Sequence, residues 1–354
     1  MMAQATSDIA AIEAGLARAF VRRARWRLSE ILFWIAALLV ILAWPSRSLL
    51  FNEIAILALF ALSLDLILGH AGIVSLGHAA FFGTGAYVAG LLTKEGLTDP
   101  TLGLAIAAAS AAALGFATSF LVLRGADLTR LMVTLGVALV LFEIANQWSA
   151  LTGGADGLQG VAPGPVLGFF GFDIFGRTAS LYSFATLFLM FVLARRIAAS
   201  PFGLSLCAIR DNPLRAAAIG IPVSRRLIAI YTVAAAFAGV AGALLAQTTQ
   251  FVSLDVFDFA RSADVLLVLI IGGTGYLYGG LVGAVAFRMM QDIFSAITPQ
   301  HWQFWIGFVL VALVLARRER LARLARKALS RAAMRLGIAI RVAEAGLPSQ
   351  GADT

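Results

Sequence analysis

Charge is what this sequence has least of. Asp, Glu, Lys and Arg make up 13% of its 354 residues, against 60% hydrophobic, and the mean hydropathy is +0.91. Soluble domains carry about 25% charged residues. The shortage excludes an ordinary globular protein in water and leaves a polytopic membrane protein. Cysteine is nearly absent: Cys207 stands alone, which rules out an internal disulfide. His70, His78 and His301 show no spacing for a metal site. Missing as well is any G-x-x-x-x-G-K-[ST] run, the loop whose amides cradle nucleotide phosphates. The chain is expected to bind no cofactor and to catalyse no reaction of its own. A cleavable signal is not expected either: the first thirty residues hold Arg18, Arg22, Arg23, Arg25 and Arg27 where such a signal needs a short apolar core and a cleavage site.

What is present is apolar length. A helix crosses roughly 30 Å of hydrocarbon with about 20 largely apolar residues. Apolar blocks predict spans near 31–44, 49–68, 71–92, 101–123, 131–151, 179–198, 227–248, 263–279, 281–297 and 303–316. The fold class expected is thus an all-α polytopic membrane protein of eight to ten helices with a glycine-rich packed core, eight if two glycine-rich segments are re-entrant. Positive charge marks cytoplasmic loops. Arg124 and Arg130, then Arg195, Arg196, Arg210, Arg215, Arg225 and Arg226, then Arg317, Arg318 and Arg320 fall on one side when both termini are cytoplasmic. Glu95, Asp99, Asp156, Asp173, Asp255 and Asp258 fall on the other, with Lys94, Arg177 and Arg261. The net charge of +8 then follows from topology and anionic headgroups rather than from nucleic-acid binding. Three regions result: a basic cytoplasmic segment over 1–30, a transmembrane domain over 31–316 and a cytoplasmic tail over 317–354. In that tail Leu321, Leu324, Ala328 and Leu329 share one helical face and arginines the other, the pattern of a helix lying on membrane lipid.

Glycine is placed where a simple anchor would have leucine. Gly69, Gly72, Gly77, Gly83, Gly85 and Gly90 crowd a single predicted span. Within lipid, small residues let helix backbones approach closely, and irregular backbone is tolerated where protein or a water-filled cavity covers it. Tight packing and a transport conduit both account for that. Among ionisable groups inside spans, which need protein or water around them, Glu143 lies midway along 131–151 and shares a face with Asn146 and Gln147. That face suits either a pathway or an interhelical clamp. Arg288 and Asp292, at i and i+4, are expected to neutralise each other. Asp65, near the inner end of its span, is expected to meet water.

Four blocks narrow the choice. "GIVSLGHAAFFGTGAYVAGLL" from Gly72, "LRGADLTRLMVTLGVALVLFEIANQWSALTGGADGLQGV" from Leu123, "SPFGLSLCAIRDNPLRAAAIGI" from Ser200 and "GGTGYLYGGLVGA" from Gly272 occur in this order. Together they resemble the branched-chain amino-acid type of ABC transporter permease over roughly residues 50–316. Tyr276 stands where that family usually has serine, and Gly280 where it usually has proline. The resemblance implies an importer subunit with four kinds of partner: a second permease, two ATPase subunits that use ATP-Mg, a solute-binding protein and membrane lipid. It places Gly203, Ala208, Arg210, Asp211, Asn212, Arg215 and Gly220 in the loop that couples to the ATPases. Ser75, Gly77, His78, Gly83, Gly85, Tyr87, Thr134, Glu143, Asn146, Gly272, Gly273, Gly275 and Tyr276 fall along the translocation pathway or its helix packing. Thr152, Gly153, Gly154, Asp156 and Gly157 form an external loop suited to docking the binding protein. Urea, amides or aromatic acids are alternative solutes within the family. An ion-coupled secondary transporter is the alternative class; its marks are inverted halves and dedicated midplane carboxylates.

Overall fold

A computed structural model of the chain describes residues 26–315 apart from 126, 167 and 174. The amphipathic tail and most of the basic N-terminal segment lie outside the described residues. The chain is all-α. Its helices are α1 (Leu28–Ala43), α2 (Ser48–Ala71), α3 (Ala79–Lys94), α4 (Pro100–Val122), α5 (Asp127–Gln147), the single turn α6 (Ser149–Thr152), α7 (Arg177–Ala199), α8 (Pro201–Asp211), α9 (Pro213–Ala218), α10 (Val223–Thr249), α11 (Phe259–Gly272), α12 (Leu277–Ile297) and α13 (Trp302–Leu315).

Among the described residues, six stretches are long and apolar enough to cross a membrane: Pro45–Ala71, Pro100–Val122, Leu128–Gln147, Arg177–Ala199, Val223–Thr249 and Leu277–Ile297. The sequence pattern predicts eight to ten. The difference has a geometric cause. Over the predicted spans 71–92 and 263–279 the structure forms α3 of 16 residues and α11 of 14, about 24 and 21 Å long at 1.5 Å per residue. Neither reaches across 30 Å alone. Each follows a stretch that is not α-helical, 72–78 before α3 and 250–258 before α11. α1, of 16 residues, is short for the same purpose.

Helix boundaries follow local chemistry. Asp99 accepts from the Thr101 N–H at 2.9 Å ahead of Pro100, and Ser200 and Asn212 cap α8 and α9 ahead of Pro201 and Pro213. Each proline occupies a first-turn position whose N–H has no helical partner. α2 stops at Gly72, whose φ of +73° is the left-handed conformation that glycine adopts without a Cβ penalty.

The described residues up to 292 and those from 293 to 315 form separate units. In the first, α10 packs against α2, α3 and α4, while α2 also meets α7, α8 and α11. The α2 and α10 spans are 83% and 72% buried, whereas the α5 span is 17% buried. α2 and α10 are thus the centre, and α5 presents most of its side chains outward. Backbone contact explains how α10 fits: a methyl on Gly85 would stand 2.1 Å from the Gly239 carbonyl oxygen, and one on Gly242 1.8 Å from that of Phe82. α1 lies on α7 through Trp34, which contacts Phe184, Phe188 and Phe191, and through a 2.6 Å ion pair between Glu30 and Arg195. In the second unit, Phe294 stacks with Trp305.

Candidate translocation and coupling site

Segment 72–78 is stitched to three helices. The Leu76 N–H donates to the Thr134 hydroxyl of α5 at 3.2 Å. His78 Nε2 and the Ser63 hydroxyl of α2 are 2.8 Å apart, with the imidazole stacked on Phe60. The Ala79 N–H donates to the Ser262 hydroxyl of α11 at 2.9 Å. At Gly77 a methyl would sit 1.8 Å from the Thr134 carbonyl oxygen, so only glycine fits. Ser75 and His78 are fully buried, yet the Ser75 hydroxyl and His78 Nδ1 have no hydrogen-bond partner. The Tyr87 hydroxyl is likewise unpartnered, its ring stacked on Phe257. A Cβ at Gly83 would press on that same Phe257 ring. Unpaired buried hydroxyls cost about 1–3 kcal/mol each.

A second cluster closes the C-terminal end of α2. Asp65 is fully buried, contrary to the expectation that it meets water. Its Oδ1 accepts from the Gly275 N–H at 2.7 Å. Gly275, at φ +81°, and Gly273, at φ +98°, shape the turn between α11 and α12, and Gly272 lies so close to the Gly279 carbonyl that a methyl would overlap it. Tyr276 projects from this turn at 74% exposure, and Gly280 packs on Ala61 and Leu62 of α2. The sequence offered one hint about Asp65: a carboxylate four residues before Gly69, after the apolar run that follows Glu53.

Arg210 of α8 reaches the same place. Its Nη1 donates to the Gly69 carbonyl, its aliphatic stem lies over Gly72, and its Nη2 is 3.4 Å from Asp211. Gly203 packs against the Ile197 and Ala198 carbonyls. Ala208 is half-buried and Asp211 exposed; Asn212 caps α9 through the Arg215 N–H at 3.0 Å. α9 carries Arg215 outward, and Gly220, at φ +88°, follows it. Leu214 and Ile219, which sequence reasoning missed, are 82% and 75% exposed.

The loop after α5, expected from sequence to be external, is ordered by its own contacts. The Thr152 hydroxyl donates to the Ala145 and Trp148 carbonyls and accepts from Gly154 N–H at 3.3 Å. Leu158 and Val252 pair their backbones, and Gly157 abuts the Val252 carbonyl. Gly153 turns the chain with a left-handed φ of +80°. Asp156 is exposed. Glu143 sits one turn from the end of α5 instead of midway along its span, because the helix stops at Gln147; it is exposed and accepts from Gln147 Nε2 at 2.6 Å, with Asn146 beside it. Arg288 finds its closer partner across helices: it pairs with Glu53 of α2 and lies 3.9 Å from Asp292.

Comparison with known proteins places these features in a family. The family described as "Branched-chain amino acid transport system / permease component" matches residues 46–315. The chain belongs to it. Relatives include the high-affinity branched-chain amino acid transport system permease protein LivM of Escherichia coli, 30% identical over 320 residues, 82% of this chain and 74% of that protein. The probable branched-chain amino acid transport permease protein LivH of Methanocaldococcus jannaschii is 24% identical over 273 residues, 74% of this chain and 83% of the relative. The probable ABC transporter permease protein YphD of Escherichia coli is 30% identical over 182 residues, 48% and 54% respectively. No solved structure matches. The matched region runs from the start of α2 to the end of α13 and contains both clusters described above. Membership makes the chain a multi-pass permease-type protein whose family implies ATPase, solute-binding and second-permease partners.

Proposed function

We propose that this chain is one of two membrane-spanning subunits of an ATP-driven importer in the bacterial inner membrane. It lines half of a gated route for branched-chain amino acids, which a binding protein delivers outside and separate ATPases drive inward. Both termini lie in the cytoplasm; the Glu30–Arg195 pair joins the start of α1 to the arginine-rich end of α7, in keeping with that side.

The observation that carries the reading is the α8–α9 loop. Leu214 on the short helix and Ile219 just past its end stand almost bare beside Arg215, and apolar groups so exposed in water mark a protein contact. The occupant is the ATPase surface. Supporting it, the unpaired Ser75, His78 and Tyr87 polar atoms suit a wall that meets a polar solute in another conformation, and the small residues between α3, α4 and α10 form a glycine-packed core that permits sliding. On α5, Gly136 has no neighbour within 4 Å and lies on the same outward side as Glu143, a face suited to the second permease. Asp156 offers the exposed contact for the binding protein.

The test uses the whole complex in liposomes. Leu214→Asp and Ile219→Asp should each weaken ATPase association by about 2 kcal/mol, roughly 30-fold. Uptake of labelled leucine should require ATP, and isoleucine and valine should compete with it. Competition by urea, amides or aromatic acids instead would reassign the solute. Uphill uptake by this chain alone on an ion gradient, with no nucleotide, would end the ATP-driven reading.

A further inference from the structure

The cluster at the inner end of α2 goes beyond a docking loop. Three parts of the chain, remote in sequence, meet there. Asp65 holds the Gly275 N–H at 2.7 Å. Arg210 donates to the Gly69 carbonyl, one turn further along α2. The space between is filled to contact: a methyl on Gly69 would lie 2.3 Å from Asp65 Oδ1 and 2.5 Å from Gly275 N, and one on Gly72 would lie 2.8 Å from Arg210 Cγ. A methyl on Gly275 would lie 3.4 Å from the Gly69 carbonyl oxygen and 3.5 Å from Arg210 Nη1. Arg210 and the His70 ring face Asp65, and His70 is held by its Nδ1 near the Asp65 carbonyl at 3.3 Å.

A buried carboxylate is retained at a penalty that falls only when it is hydrogen-bonded and faced by opposite charge. Here Oδ1 is hydrogen-bonded and Oδ2 is left without a partner, so the Gly275 N–H and the nearby Arg210 carry what compensation there is, and they come from separate elements. Gly275 is in the turn joining α11 to α12, Arg210 is on the loop helix, and Gly72 opens the irregular segment that continues to Thr134, Ser63 and Ser262. A packed contact of this density transmits displacement instead of absorbing it.

We infer that Asp65 is a positioning residue for transport: it ties the α11–α12 glycine turn to the inner end of α2, where Arg210 attaches α8, so that a push on α8 moves turn 273–276 and segment 72–78 as one body. This rests on the reading of α8–α9 as the ATPase-facing loop, and adds that Arg210 points inward, to the permease core, rather than outward to the motor.

The experiment uses the reconstituted complex and reads solute carried per ATP hydrolysed. Asp65→Leu removes the acceptor and the charge; Asp65→Asn keeps an acceptor for Gly275. Asp65→Leu should retain ATP hydrolysis while solute per ATP falls about tenfold, within the usual range of coupling between sites, and Asp65→Asn should restore most of the ratio. An unchanged ratio in Asp65→Leu, or parallel loss of hydrolysis and transport in an intact complex, overturns the inference. A second measurement does not depend on that variant folding. Spin labels on Cys207 and on Tyr276→Cys should keep their separation as the ATPases close on nucleotide; a change of about 5 Å, one helical turn, overturns the rigid tie. The two layers fail separately. If Leu214→Asp and Ile219→Asp leave ATPase binding intact, the loop assignment is wrong. If they abolish it while Asp65→Leu transports at the wild-type ratio, only the tie is wrong.

Discussion

At the scale of single residues, two glycines of the same membrane wall make opposite demands. Gly77 faces the Thr134 carbonyl so closely that any Cβ would overlap backbone, which cannot step aside as a flexible side chain can, whereas Gly136 has open space around it. Gly77→Ala should therefore destabilise the detergent-solubilised protein by about 3 kcal/mol or more, at the upper end of overpacking penalties, and Gly136→Ala should leave thermal unfolding unchanged. Equal effects would contradict the packing of segment 72–78 on α5. The sequence marks both as glycines in apolar runs and cannot tell them apart, because the distinction lies in which neighbour the fold delivers. The same holds for Asp65. Hydropathy places it near a helix end, where water is the default partner. Its actual partner, the Gly275 N–H, is 210 residues away and emerges only when α11 and α12 fold back on α2. Arg288 repeats the lesson: the local i+4 rule supplies Asp292, and the bundle supplies the nearer Glu53.

At the scale of helices, boundaries were legible where a cap or a proline wrote them, at Asp99-Pro100, Ser200-Pro201 and Asn212-Pro213. The breaks before α3 and α11 were not. Residues 72–78 are apolar enough to pass for helix, and their irregular path is decided by tertiary bonds to Thr134, Ser63 and Ser262. The start of α7 yields a test in pH. Its first turn is held by Asp173, whose Oδ1 accepts from the Thr178 N–H at 2.9 Å. Slight burial alone would raise this carboxyl, but the N–H groups of Thr178 and Arg177 outweigh it and hold it below its usual range. A depressed folded-state value means the contribution to stability is complete above the unfolded value near 3.8 and is lost as pH falls through the lower folded value. Hydrogen exchange at Thr178, corrected for its intrinsic rate, should therefore be constant from neutral pH down to about 5 and accelerate below about 4. Asp173→Asn should abolish that acid step. An unchanged step would assign it to another group.

At the scale of the whole molecule, direction along the chain follows from contacts that link distant ends. Arg210 touches the end of α2, and Arg195, at the end of α7, pairs with the start of α1. The turn at Gly275 meets Asp65 on that same side. Arg124 follows α4, and Arg225 and Arg226 open α10. The ends of α4 and α7 and the start of α10 carry arginines, which retention on the cytoplasmic side accounts for. The opposite ends carry Glu95, Asp99, Asp156 and Asp173 around loops that pair Leu158 with Val252. Charge asymmetry read from sequence and helix direction read from structure are independent, since one counts residues and the other follows the path of the backbone. Helix direction separates the Cys207 end from the Asp156 end, and under the proposed topology the arginine-rich end with Cys207 is the inside. A membrane-impermeant thiol reagent applied to intact cells should therefore label Asp156→Cys and Gly96→Cys, made in a Cys207→Ser background, and spare native Cys207, which should react only in inverted vesicles. Labelling of Cys207 from outside would reverse every loop. The α8–α9 surface would then face the binding protein, and the motors would have to act through the loops that hold Asp156.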